Sequence, residues 1–285
     1  MNGPVRAVFA FFLAIGAIGV ATSAHAELRY IPSVSNPLFN ESPLITTEAR
    51  PIYFHHDIPN DFLTGGGNVD VGALQFRIAL TDRLAIIATK DGYADIEFAG
   101  VLPNDDGFAN IAAGLKYALI LTDDMALTVG LRYEIPLGSL DTAGINLQGG
   151  GDGFLNPFIT ALKQVGKFQI QASANANIAL DSNHDSSLFV FALHMNYEVT
   201  PNFYPLLEFN VFSVIDEGTR TPLDFEGFDL VNFGSVDSGT VATIAAGARF
   251  PITENFMLGT AFEIPVTNRE DITNWRVYVD AVVTF

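Results

Sequence analysis

The stretch His184-Asp185-Ser186-Ser187 places a base beside two hydroxyls, the ingredients of nucleophilic hydrolysis. A base and a nucleophile two residues apart in a loop are a weak signal for a relay, which is defined by geometry and roles. His55-His56-Asp57 offers metal ligands, but adjacent residues of a strand point to opposite sides. Asn104-Asp105-Asp106-Gly107 and Gly151-Asp152-Gly153 look calcium-like. Both lack the full loop spacing and the closing Glu, and read better as turns. The 285 residues contain no Cys, which removes thiol chemistry and thiolate metal sites. The expectation is a protein that is not an enzyme, with no catalytic residue, no metal and no cofactor.

A larger set of charged residues is spread along the chain at a spacing that has meaning. Arg50, Arg77, Lys116, Arg132, Arg249 and Arg276 each sit within an alternation of apolar and polar residues. So do Glu134, Glu208, Glu263 and Asp280, with Glu48 and Glu198 beside them. Alternation at period two marks a strand with one greasy and one wet face. These residues all fall on the wet face, where they either line a polar diffusion path or pair across an interior that they fill.

The elements that would hold them are many. The last is the clearest: Trp275, Val277, Val279, Ala281, Val283 and Phe285 form one row, and Arg276, Tyr278, Asp280 and Thr284 the other. It ends on Phe, resembling the C-terminal assembly signal of bacterial outer-membrane barrels. Similar segments are expected near 44–56, 69–80, 84–97, 108–121, 125–137, 154–165, 167–180, 187–198, 203–214, 240–250 and 256–266, making about twelve strands. Short connections (81–83, 122–124, 164–167, 200–202, 252–255) alternate with mostly longer ones (57–68, 98–107, 138–153, 181–186, 215–239, 268–272). Short turns on one side and long loops on the other are the layout of a transmembrane up-and-down β-barrel, with periplasmic turns and extracellular loops.

Composition agrees. Hydrophobic residues make up 49% of the chain and charged residues only 16%. Past the first two dozen residues no apolar run reaches the ~18 residues that a membrane helix needs. Residues 1–26 read as a signal peptide: Arg6, an apolar stretch from Ala7 to Val20, and Ala24-His25-Ala26 before Glu27. Cleavage near Ala26-Glu27 would deliver the protein to the bacterial outer membrane, with its lipids and lipopolysaccharide. The barrel-assembly machinery would meet the strand ending in Phe285. Residues 27–43, with Pro32, Pro37 and Pro43, are irregular, and either form a periplasmic arm or tuck into the lumen. Residues 44–285 are the barrel. The net charge of −18 argues against nucleic acid as a partner.

Much of the acid falls in the long connections, for example Asp105, Asp106, Asp216, Asp224, Glu226 and Asp229. Such a rim attracts cations, divalent ones included, or is simply a solvated surface. The longest connection also carries Phe225, Phe228, Leu230 and Phe233. That many large apolar residues should not all face water. They form a plug, an apolar capture site, or packing against neighbouring loops.

Two stretches, Ala113-Gly114-Leu115-Lys116-Tyr117 and Asn196-Tyr197-Glu198-Val199-Thr200-Pro201-Asn202-Phe203-Tyr204-Pro205-Leu206-Leu207-Glu208-Phe209-Asn210, carry a family resemblance. The mature chain resembles the outer-membrane transporter barrels of the meta-pathway phenol-degradation type. The resemblance implies passage of small, often hydrophobic, molecules and brings no catalytic residue. His184-Asp185-Ser186 loosely resembles the H-x-S stretch of outer-membrane phospholipase A, but Leu188-Phe189 stands where that family continues with Asn-Gly. The expected function is passive passage of small-molecule solutes through the outer membrane. A closed structural or surface-binding barrel, and a membrane-embedded lipid hydrolase, are the alternatives.

Overall fold

The computed structural model describes residues 28–100, 102–137, 140–148, 151–235 and 239–285. Residues 1–26, read from the sequence as a signal peptide, lie outside the described residues. The period-two segments form strands β1 Glu48–Ile58, β2 Gly67–Ala79, β3 Leu84–Lys90, β4 Tyr93–Phe98, β5 Asp105–Phe108, β6 Ile111–Leu121, β7 Met125–Ile135 and β8 Asp141–Thr142. They continue as β9 Ile145–Asn146, β10 Phe154–Val165, β11 Phe168–Ala179, β12 Ser187–Tyr197, β13 Tyr204–Asp216, β14 Thr240–Thr253, β15 Phe256–Pro265 and β16 Trp275–Thr284.

Strands adjacent in the ring pair antiparallel, β3 with β6 and β7 with β10 across the small hairpins, and β1 pairs with both β2 and β16, so the sheet closes on itself. Glu48 sits opposite Thr284 and Asp57 opposite Trp275. The β4–β5 hairpin rises from β2 above the ring, and β8–β9 is a small hairpin of its own. The remaining twelve strands form a closed antiparallel barrel. Closure leaves no unpaired edge for lipid to meet, which is the condition for a sheet to span a membrane.

Outward side chains form an apolar belt. Leu74, Phe76, Ile78 and Leu80 on β2 and after it, and Leu115, Tyr117 and Leu119 on β6, are all exposed. The alternate residues are buried: Gln75 and Arg77 on β2, Lys116 on β6, and Arg276, Tyr278 and Asp280 on β16. The tight turns are held by threonine: Thr81 Oγ1 accepts from Arg83 N and Leu84 N at 3.2 and 3.0 Å, and Thr122 Oγ1 from Met125 N at 3.1 Å. This local hydrogen bonding is what suits Thr to turns.

One expectation needs correction. The third strand, read as continuous from Leu84 to about Glu97, breaks at Asp91-Gly92. Strand β3 pairs with the lower half of β2, ending at Phe76 opposite Ala88, and pairing resumes in β4 with Gly72 opposite Tyr93. Gly92 has φ +137°, a conformation closed to other residues, and a Cβ there would meet the Gly72 carbonyl at 2.9 Å. Apolar residues keep to even positions on both sides of the break, but Leu84, Ile86 and Ala88 face outward whereas Ala94, Ile96 and Phe98 face inward, so the apolar pattern alone could not reveal it. The returning strand breaks at the same level, between Phe108 and Ile111. The connection expected at 98–107 is correspondingly shorter, because β4 and β5 carry the wall upward.

Candidate functional site: a filled interior with a cavity beside a broken strand

The interior of a twelve-stranded barrel is wide enough to need filling or to hold water. Here residues from Leu28 to Thr47 run through it without regular secondary structure up to β1. Such backbone cannot satisfy its own polar groups, and unpaired buried groups are costly, so the wall must supply partners. The inward charged residues do this.

Glu208 accepts from Val34 N at 2.8 Å and Ser35 N at 2.6 Å. Its Oε1 also accepts from His194 Nδ1 at 2.6 Å. Arg50 and Arg249 both donate to the Ser33 carbonyl, at 2.8 and 2.5 Å, and Arg249 Nε reaches Pro32 O at 2.9 Å. Asp280 sits between these two arginines and pairs with each. Arg132 donates to Leu38 O, with its guanidinium 4.9 Å from the Phe158 ring centre. Gln75 Nε2 reaches Pro37 O at 3.0 Å, and Thr128 Oγ1 reaches Pro43 O at 2.6 Å.

All ten charged residues predicted for the lumen lie in this interior, each no more than 4% exposed. Glu134 pairs with Lys90 and accepts from Asn110 Nδ2. Glu263 accepts from Asn210 and from the Tyr278 hydroxyl at 2.8 and 2.7 Å. Sequence reasoning missed Glu41, which belongs to the threaded segment. It takes a forked pair of bonds from Arg77 at 2.8 and 2.7 Å and a third from Lys116 at 2.8 Å. Its signal was a local imbalance. Arg50, Arg77, Lys116 and Arg132 lie on β1, β2, β6 and β7, whose inward carboxylates are only Glu48 and Glu134.

The long connection after β13 folds inward over the extracellular mouth. Phe228, Leu230, Val231 and Phe233 are buried, and Phe225 is partly buried. Leu230, Val231 and Phe233 pack on Ile58, Val71, Ile96, Leu140 and Leu147, and Phe228 packs against Phe212 and Phe39. Phe225 stands edge-on to Phe62 and Phe233, at 5.0 and 4.9 Å between ring centres. We call residues 217–235 the lid. Its turn is capped by Glu226, which accepts from Gly227 N and Phe233 N at 2.9 and 2.6 Å.

Between the lid above and the threaded segment below is a cavity of about 80 Å³. Phe54, Val71, Ala94, Ile96, Leu140 and Tyr278 form much of its apolar lining. Leu230 and Val231 of the lid also line it, as do Pro37 and Leu38 of the threaded segment. It reaches the strand break through Ile52, Ala73, Asp91 and Ala109. The same four residues also line an apolar recess on the outer surface, with Leu74, Tyr93, Phe108, Ile111 and Leu137. At the break, Asp91 Oδ1 accepts from Leu74 N at 3.1 Å, a side chain substituting for a missing ladder bond.

The other candidates are placed apart. His55 faces outward and bonds Asp70 at 2.9 Å, whereas His56 faces inward and contacts Arg276. His184 Nδ1 bonds Asp181 at 2.7 Å, while Ser186 Oγ accepts from Gly218 N and donates toward Ser235 O. Base and hydroxyl are thus committed to different partners. Asp185 is buried in the same connection, and burial pushes its carboxyl up to about 6, with Arg220 opposing. Among the described residues no three of His, Asp and Glu are placed to hold a metal ion.

Closure, the apolar outward belt and the alternation of short turns with longer loops define the class: a closed twelve-stranded antiparallel β-barrel with the fold of outer-membrane barrels. No protein-family model matches the chain, and no curated protein matches it in sequence. Its fold is similar to that of an outer membrane channel from Pseudomonas putida F1, with a TM-score of 0.63 at 16% identity, covering 88% of this chain and 98% of that one. It is also similar to the beta domain of the Bordetella autotransporter BrkA, with a TM-score of 0.50 at 11% identity, covering 84% of this chain and 100% of that one.

Proposed function

We infer that this barrel passes small apolar molecules across the outer leaflet of the outer membrane, by way of the interior cavity and the broken strand. One observation carries the reading: the interior cavity and the lipid-facing recess share Ile52, Ala73, Asp91 and Ala109. The way straight down is occupied by a segment bonded to the wall on many sides, whereas the way sideways is apolar and lacks ladder hydrogen bonds. An apolar solute loses little on such a path, and an ion or sugar would lose its hydration. The resemblance to transporter barrels of the phenol-degradation type, and the likeness in fold to an outer membrane channel, support the same reading. Outer-membrane lipids are then the solute's first destination.

The filled interior also favours a second reading, a closed barrel with a structural role. One experiment separates the two. The protein is reconstituted into vesicles with lipopolysaccharide in the outer leaflet, and uptake of an apolar fluorescent probe is compared with uptake of a sugar. Faster uptake of the probe, lost in Ala109→Trp, which fills the break, is the expected result. Probe uptake no faster than in protein-free vesicles would leave the closed barrel standing.

A further inference from the structure

The lid bonds to neighbouring loops through Ser186, Gln148 and Asp271, and it meets β16 at an arginine with an unusual set of neighbours. Arg276, on β16, gives its two terminal nitrogens to the two oxygens of Asp229 in the lid, at 2.7 and 2.8 Å. Its Nε donates to His56 Nδ1 at 2.5 Å. His56 Nε2 in turn faces the Ile272 carbonyl at 2.8 Å. An arginine only donates, so His56 is the neutral tautomer that carries its proton on Nε2. The guanidinium is buried.

A second carboxylate stands on its other side. Glu263 Oε2, on β15, is 4.0 Å from Arg276 Nη1. Tyr278 bridges the two, its hydroxyl accepting from Arg276 at 3.3 Å and donating to Glu263 at 2.7 Å. Asp229 belongs to the lid and lines the cavity beside Leu230 and Val231. Glu263 belongs to the wall. One cation therefore stands between a carboxylate of the lid and a carboxylate of the wall.

We propose that Arg276 is a two-position latch regulating access to the cavity, closed when paired with Asp229 and open when passed to Glu263. This rests on the reading of the cavity as a route for apolar molecules. Breaking a buried ion pair ordinarily strands a charge, and that is what makes such pairs hard to open. Glu263 takes over the guanidinium as Asp229 leaves, so the lid lifts without an uncompensated cation in the wall. Asp229 emerges into water, where a carboxylate is well solvated. Two discrete pairings of one residue make the element bistable. The closed pairing, with His56 and the packed lid aromatics, is the resting one.

The two carboxylates must then act with opposite signs. Because the chain has no Cys, a single Val231→Cys reports on the lid through its rate of labelling by a membrane-impermeant maleimide, read on the full-length protein in vesicles. In that background Asp229→Asn is expected to raise labelling about tenfold, and Glu263→Gln to lower it below the parent rate, as a shift between two populations. Glu263 also accepts from Asn210 and Thr243, so Tyr278→Phe, which removes only the bridge, is the second variant and is expected to slow labelling as well. Changes of the same sign for Asp229→Asn and Glu263→Gln, or no change for Asp229→Asn, would overturn the latch. Opposite shifts in labelling without uptake of the apolar probe by any variant would leave the latch intact and remove the passage reading.

Discussion

Arg77 and Glu41 form a fork: Nε and Nη2 of the arginine meet the two carboxylate oxygens at 2.8 and 2.7 Å, deep in the barrel. One residue belongs to the wall and the other to the threaded segment. Both are fully enclosed, and Lys116 adds a second cation on Glu41. Removing one partner of such a group leaves the other charges buried and unpaired, at a cost of about 3–5 kcal/mol. Glu41→Ala is therefore expected to lower the unfolding temperature in detergent and to release the segment, raising single-channel conductance in planar bilayers. Unchanged conductance with lowered stability would show that the segment stays in place without this anchor.

Glu208 and Arg132 anchor the same segment through its backbone instead. Glu208→Ala leaves Val34 N and Ser35 N without their acceptor, and Arg132→Ala leaves Leu38 O without its donor. Each change costs about 1–3 kcal/mol for the stranded group. If ions pass beside the loosened segment, the two substitutions shift ion selectivity in opposite directions, since one removes a negative and the other a positive charge. Reversal potentials under a salt gradient read this directly, and identical values for both variants would take these residues off any ionic path.

Most of this barrel is visible in the sequence because lipid and lumen impose a strict alternation, and each strand repeats the test. The row Trp275, Val277, Val279 against Arg276, Tyr278, Asp280 survives unchanged in the structure. The break at Asp91-Gly92 was not visible, because apolar residues keep to even positions on both sides while the face they occupy inverts, from lipid at Ile86 to interior at Ile96, and because it depends on how Gly72 approaches Gly92 across the gap. Nor did the alternation show that the inward charges face a peptide segment. Arg50 and Arg249 look like lining residues until Pro32 and Ser33 are placed between them. The long connection's aromatic residues did announce that they would be buried; which residue ties them down, Arg276, depends on distances across the mouth.

Asp185 gives a pH dependence of definite sign. Its carboxyl is held up to about 6 by burial, whereas an unfolded Asp titrates near about 3.9. The folded protein binds this proton more tightly, so the unfolded state has fewer protons bound between those values and stability falls as pH rises through them. The penalty is absent below about pH 4 and complete above about pH 6. Asp185→Asn removes the charge without changing the shape. It is expected to raise the unfolding temperature at pH 8 and to leave it unchanged at pH 4. A gain of equal size at both values would show that the ionised carboxylate is not what costs stability.

Phe285 closes the barrel from its end. Its N–H donates to Thr47 O at 3.0 Å, fixing the join between β16 and the residues before β1, while its ring is exposed. A ring this exposed contributes little to the folded barrel, so its removal should cost the finished protein little. If the ring is instead read during assembly by the machinery that inserts barrels, its loss acts before folding is complete. Deleting Phe285 is then expected to reduce the folded protein in outer membranes of growing cells several-fold, while unfolding temperature after refolding into detergent changes by only a few degrees. Equal losses in both measurements would assign Phe285 to the stability of the barrel and not to its delivery.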